Sequence, residues 1–160
     1  GLELIGSDKN HNLGTFLGQY IKSVNFDIET EITVSSATSG ICLGGAIFKS
    51  KWPGELGGIG IAATIHGLTV FNNLDGTYSI LNNSPQMLKG NLSLKLEIRD
   101  GAKRIHFLYK TAKGKWIKFH ETDFNASKFA PWGMGYRAGI VSKSTAFEKS
   151  LFRSFSMTNH

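Results

Sequence analysis

The chain has 160 residues, an apolar fraction of 41% and a formal net charge of +6, enough length for one domain with a substantial core. The charge is uneven: residues 1–88 carry four Lys/Arg against seven Asp/Glu, giving −3, and residues 89–160 carry fourteen against five, giving +9. That asymmetry suits an acidic partner, while the lack of a groove-reading helix or dense Arg run argues against nucleic acid, and the lack of an apolar run near ~20 residues argues against a membrane span.

In chain order, Leu2–Ile5 reads as a short strand, Ser7–Asn12 as a polar loop and Leu13–Tyr20 as an apolar lead-in. Ser23 to Ser35 then alternates strictly. Val24, Phe26, Ile28, Ile32 and Val34 point one way, with Thr30 the one soft position, and Asn25, Asp27, Glu29, Glu31 and Thr33 point the other. Successive strand side chains face opposite sides, so this is a strand with one dry and one wet face. Ser35–Gly40 turns into Ile41–Phe48, a continuous apolar run of the kind a buried strand shows, and Cys42 within it reads as a small buried hydrophobe. With a single Cys no internal disulfide forms. Lys49–Gly58 is a loop holding Trp52 and Pro53. Ile59–His66 and Leu68–Phe71 are strands broken at Gly67, and Asp75-Gly76 signals a hairpin before Thr77–Leu81. Asn82 to Pro85 reads as a polar turn.

Gly90–Arg99 alternates again, with Leu92, Leu94, Leu96 and Ile98 on one face, and Asp100-Gly101 is a second hairpin dipeptide. Arg104–Lys110 follows, then Lys113-Gly114 turns the chain into Trp116–His120, where Trp116 reads as core. Asp123–Gly133 is a long connection with Pro131 and Trp132. Gly135–Val141 and Leu151–Met157 complete the strands. Ten to twelve short strands without a convincing helix read as all-β, a two-sheet antiparallel β-sandwich of jelly-roll order with its first and last strands close together. The expected core is Val24, Phe26, Ile28, Ile32, Val34, Leu94, Leu96, Phe107, Ile140 and Phe155.

The strand order carries a resemblance. Leu2-Glu3-Leu4-Ile5, Thr15-Phe16-Leu17-Gly18-Gln19 and Val24 to Thr30 resemble the opening of the C-terminal concanavalin A-like β-sandwich module of family-43 glycoside hydrolases. Leu43–Phe48 is similar to the apolar strand that follows there. His106-Phe107-Leu108-Tyr109 with Gly114 and Trp116 is similar to its "F-x-Y … G … W" hairpin, and Ala138-Gly139-Ile140 with Phe152 and Phe155 to its last strands. Lys110-Thr111-Ala112-Lys113 departs from the pattern, where a Ser and an Asp are usual. Related signatures occur across concanavalin A-like lectins and glucanases. The resemblance covers nearly the whole chain and implies a single sandwich domain over residues 1–160. It also implies a non-catalytic carbohydrate-associated module, packed in its parent beside a catalytic propeller domain that acts on xylosides or arabinosides. The expected partner is then a plant-type polysaccharide or oligosaccharide, and the expected location is extracytoplasmic. The start at Gly1, without Met, reads as a processed protein or a module of a larger one.

Two alternatives belong to other classes. Asp27, Glu29 and Glu31 stand at i, i+2, i+4 on one strand face, and jelly-roll glucanases use Glu-x-Asp-x-Glu so placed, the outer acids serving as nucleophile and acid/base. Retaining chemistry needs carboxyl groups about 5–5.5 Å apart with one pKa raised. The other alternative is a structural docking domain whose basic half meets its partner. For sugar binding the candidates are Trp52, Trp132, Tyr136 and Arg137: flat rings stack on the apolar faces of sugars, and an Arg donates charged hydrogen bonds to hydroxyls or a uronate. His66, His106 and His120 lack metal spacing, so no zinc site is expected. No cofactor is expected; sandwiches of this kind often hold a structural calcium ion, but there is no Asp-x-Asp-x-Asp-Gly loop.

Overall fold

The computed structural model describes residues 1–8, 13–48, 56–130 and 135–160. Twelve strands order them: β1 (Leu2–Ile5), β2 (Thr15–Gln19), β3 (Phe26–Thr33), β4 (Thr38–Ala46), β5 (Leu56–Thr64), β6 (Gly67–Asn72), β7 (Ser79–Pro85), β8 (Asn91–Arg99), β9 (Arg104–Thr111), β10 (Ile117–Asp123), β11 (Tyr136–Lys143) and β12 (Lys149–Asn159). The only described helical element is a 3₁₀ turn, Ala126–Lys128. Two six-stranded sheets form, in the orders β1-β12-β3-β8-β9-β10 and β2-β11-β4-β5-β6-β7, and every strand pairing within them is antiparallel. The result is the two-sheet jelly-roll sandwich expected, with β1 beside β12.

The first sheet is built on β3. Its inward residues Phe26, Ile28 and Ile32 are fully buried, and its neighbours supply Leu92, Leu94, Leu96 and Ile98 from β8 and Phe152 from β12 to the same core. Thr30 is buried among them because its hydroxyl donates to the Ser154 carbonyl at 2.6 Å, which removes the cost of an unpaired polar group. The second sheet sends Ile41, Leu43, Ile59, Ile61, Leu68, Val70 and Ile140 inward. Where β4, β11 and β12 converge, three fully buried serines join the sheets. Ser39 Oγ donates to Ser150 Oγ at 2.6 Å, and Ser142 Oγ lies 2.6 Å from the same atom.

The second sheet's outer face is also dry, which explains why the stretch from Ile41 is apolar at every position. Cys42, Ala62, Phe71 and Val141 lie there under Leu13, Phe16 and Tyr78. The Phe16 ring lies so close over Gly18 and Gly44 that a Cβ would stand 2.6 Å and 3.0 Å from its tip, so glycine is the residue that lets this third layer settle.

Four expectations are corrected. Val24 has core parity but is 57% exposed, because the ladder begins at Phe26 and residues 20–25 cross from one sheet to the other. Phe155 is only partly buried, following the irregularity in β12 between Phe152 and Ser154. Asn82 to Pro85 are not a turn but the end of edge strand β7, where a polar sequence and a terminal Pro are tolerated. Trp116 is half-buried on the outer face of the first sheet rather than in the core.

Face assignment is testable by stability. Phe26→Ala should cost about 3–5 kcal/mol in urea unfolding. Val24→Ala should stay within about 0.5 kcal/mol. Similar losses at both positions would reject the inward face drawn here.

Candidate functional site

Two connections between the sheets, β2 to β3 and β10 to β11, run at the end of the sandwich where β11 begins, and β4 turns into β5 there within the second sheet. Residues 20–25 leave β2 and cross there to β3. Gly45 of β4 pairs with Tyr136, and Ala46 pairs with Leu56 of β5. Beyond the sheet, Ile47 bridges Phe129. The Phe48 amide donates to the Lys128 carbonyl at 3.2 Å and the Ala130 amide to the Ala46 carbonyl at 2.8 Å. These bonds bring together the described residues that flank segments 49–55 and 131–134. The candidates Trp52 and Trp132 belong to those segments and lie outside the described residues.

Tyr136 and Arg137 are consecutive on β11 and project to opposite sides. Tyr136 turns toward the core, its ring stacked on Phe129 at 5.1 Å and edge-on to Phe124 at 5.4 Å. Burial raises the pKa of its hydroxyl. Arg137 lies on the outer face of the second sheet, its guanidinium 4.7 Å from the centre of the Tyr20 ring and its Nη2 donating to the Tyr20 hydroxyl at 3.3 Å. An open cleft of about 390 Å³ runs beside Tyr136, walled by Ile21, Lys22, Ser23, Val24 and Gly135. Three chemistries therefore meet at this end: a fixed aromatic ring, exposed apolar side chains at Tyr20 and Val24, and a cation already oriented by a ring.

Asp27, Glu29 and Glu31 line the outer face of the first sheet, each beside a cation from a neighbouring strand. Asp27 Oδ1 lies 2.7 Å from Arg99 Nη1, and its Oδ2 lies 3.2 Å from His160 Nε2. Glu29 is 3.8 Å from Lys95, and Glu31 is 3.0 Å from Arg153 Nε. Partial burial works against ionisation of Asp27, but hydrogen bonds and charge from Arg99 and His160 outweigh it and hold its carboxyl below the ordinary range. A general acid needs the opposite shift. The row continues across the sheet: Asp27 faces Glu97, Glu97 faces His106 and His106 faces Glu121. Lys118 donates to Glu121 at 2.9 Å, and Arg104 donates to it through Nε at 2.8 Å and through Nη2.

Trp116 belongs to this same face. Ile117 pairs with Tyr109, so Trp116 falls beside Lys110, and its ring takes Lys95 Nζ at 4.5 Å and Lys110 Nζ at 4.8 Å. The register of β10 was the missing signal: an indole after Lys-Gly-Lys looks like core unless its outward parity is known. His120 packs 5.8 Å from Phe107, and burial pushes the Cys42 thiol far above its ordinary value. Among the described residues no group of three His, Cys, Asp or Glu is placed to hold a metal ion.

No protein-family model matches this sequence and no curated protein matches it. Solved structures do match the fold. A xylan β-1,4-xylosidase from Bacillus halodurans C-125 superposes with a TM-score of 0.74 at 15% identity, over 98% of this chain and 32% of that one. The GH43 protein BlXynB from Bacillus licheniformis gives 0.73 at 17% identity, over 99% and 32%. The carbohydrate-binding module CBM66 from Bacillus subtilis gives 0.57 at 14% identity, over 91% and 85%. The chain thus has the fold of a β-sandwich portion of glycoside hydrolases and of a binding module, and spans about a third of the length of the two hydrolases.

The charge row has a pH signature. Lys118 and Arg104, by hydrogen bond and charge, bring Glu121 from its ordinary 4.5 to about 2. A depressed carboxyl contributes stability that is whole above the unfolded value and lost as pH falls through the folded one. The urea midpoint should therefore decline as pH falls from 4.5 toward about 2, and Glu121→Gln should flatten that decline. An unaltered acid profile in the variant would show that the pairing contributes nothing.

Proposed function

We propose that the chain is a non-catalytic carbohydrate-associated module, a domain over residues 1–160 of a larger glycoside hydrolase acting on xylosides or arabinosides outside the cytoplasm. In this reading it works beside a catalytic propeller and offers a glycan its loop end. The observation that carries the proposal is the pairing of the flanks of segments 49–55 and 131–134, through Ile47–Phe129 and Gly45–Tyr136, beside the open cleft at Tyr136. Trp52 and Trp132 are the stacking groups proposed for that end, Tyr136 is its packed floor and Arg137 donates to hydroxyls. The likeness to a xylosidase and to a carbohydrate-binding module supports the reading. Fold alone does not assign function, so the proposal stands on the loop end. The glucanase alternative is disfavoured because Asp27, Glu29 and Glu31 are each engaged by a cation from a neighbouring strand.

A screen of the chain against xylan, arabinan and β-glucans tests this. Saturable binding without release of reducing ends is expected. Trp52→Ala and Trp132→Ala should each weaken binding by about three- to tenfold, the worth of one aromatic contact, with thermal midpoints unchanged. Bond cleavage would select the glucanase reading, and silence on every glycan would leave the docking role.

A further inference from the structure

A second surface lies away from the loop-end cleft, on the outer face of the first sheet. Lys95 of β8 stands opposite Leu108, and Lys110 of β9 stands opposite Ser93, so the two lysines are diagonal neighbours on one face. Both ammonium groups approach one ring, Trp116, at 4.5 Å and 4.8 Å. Two cations brought together repel, and the negative face of an indole offsets part of that repulsion. Glu29 offsets some of the charge on Lys95 from 3.8 Å. Lys110 has no carboxylate within ion-pair reach among the described residues, and neither do Lys113 and Lys115, which are exposed in the loop leading to Trp116. The result is a half-buried ring held by two ammonium groups, one of them neighboured by a carboxylate, with two further exposed lysines in the adjoining loop. It lies in the half of the chain that carries +9.

We propose that Trp116, Lys95, Lys110 and Lys113 form an anionic-glycan site that binds uronate-bearing polysaccharide. A uronate offers both features this surface takes: a carboxylate for the uncompensated ammonium groups and an apolar C–H face for the indole. A sheet face is broad and open, so it suits a polymer lying across it rather than an enclosed monosaccharide. Consecutive uronates along the polymer would meet Lys110 and Lys113 in turn. Neutral glycans would meet the lysines through hydrogen bonds alone, without the salt-sensitive ion pairs, which separates this site from the loop end.

The test uses the 160-residue chain with polygalacturonate and, in parallel, neutral arabinan. Binding to polygalacturonate at low ionic strength is expected, weakening with added salt as exposed charges are screened. The double variant Lys110→Gln/Lys113→Gln should lose about three- to tenfold in affinity, the summed worth of two exposed charge contacts. Lys110→Arg/Lys113→Arg should retain it, and arabinan affinity should not change in either. The double variant Lys89→Gln/Lys149→Gln removes the same net charge elsewhere and should bind like the parent. Trp116→Ala should lose a similar factor and Trp116→Phe less, with near-native thermal midpoints. The proposal is overturned if the parent chain does not bind polygalacturonate, or if both Gln pairs lose affinity equally. It is likewise overturned if single-stranded DNA or phosphatidylserine vesicles bind as tightly through the same lysines, which would make the patch a general polyanion surface.

Discussion

The structure depends on the register of β3 between β12 and β8. Its side chains alternate with a period of two; β8 is paired to it so that Phe26 faces Ile98 and Ile28 faces Leu96, and β12 so that Ile32 faces Phe152. A slip of one residue would turn Asp27, Glu29 and Glu31 into the core and expose Phe26, Ile28 and Ile32. Burying three carboxylates without partners costs far more than any local rearrangement returns. The same alternation that packs the core therefore fixes the outer face, where Arg99, Lys95 and Arg153 meet the acids. Each of these surface pairs adds little by itself; together they place a cation within reach of every acid of β3 in this register, including Asp27, which faces Glu97 and shares Arg99 with it.

How much of this the sequence discloses depends on whether a strand has two unlike faces. β3 and β8 do, and their inward residues are readable one by one. β4 and β5 do not: a continuous apolar run announces burial on both faces without saying what covers the second. The cover comes from Leu13, Phe16 and Tyr78, residues remote in sequence whose role appears only when β2 lies beside β11. β7 fails in the opposite sense. As an edge strand it is exposed along much of its length, so Asn82 and Asn83 carry no burial pattern and look like a turn. Val24 shows that parity needs a starting point, since alternation runs on past the residue where pairing begins.

The candidate site was legible in composition and not in geometry. Tyr136 and Arg137 stand out as an aromatic and a cation at the start of a strand. Consecutive strand residues nevertheless point apart, so one joins Phe124 and Phe129 while the other stacks on Tyr20. Tyr20 carries no motif and becomes visible only through the pairing of Gln19 with Ala138. Trp116 was legible as a residue and misread as to face, because a strand of mixed polarity such as β10 offers no alternation from which to take parity.

The filled outer face of the second sheet decides where a ligand has room. Sheet faces are where a sandwich has area, and this chain spends one of them internally. Phe16 lies over Gly18 and Gly44, Leu13 packs with Cys42, and Lys143 reaches to 3.8 Å from the centre of the Tyr78 ring. A glycan laid there would have to displace an apolar layer already in contact with protein, losing the burial it represents. On the reading proposed above, recognition falls to surfaces outside that layer, the loop end beside Tyr136 and the charged face around Trp116. The first offers rings and hydroxyls beside Arg137 and Lys22, and the second offers ammonium groups around one ring. On the same reading, a backbone of neutral sugars with acidic branches would present groups suited to both surfaces.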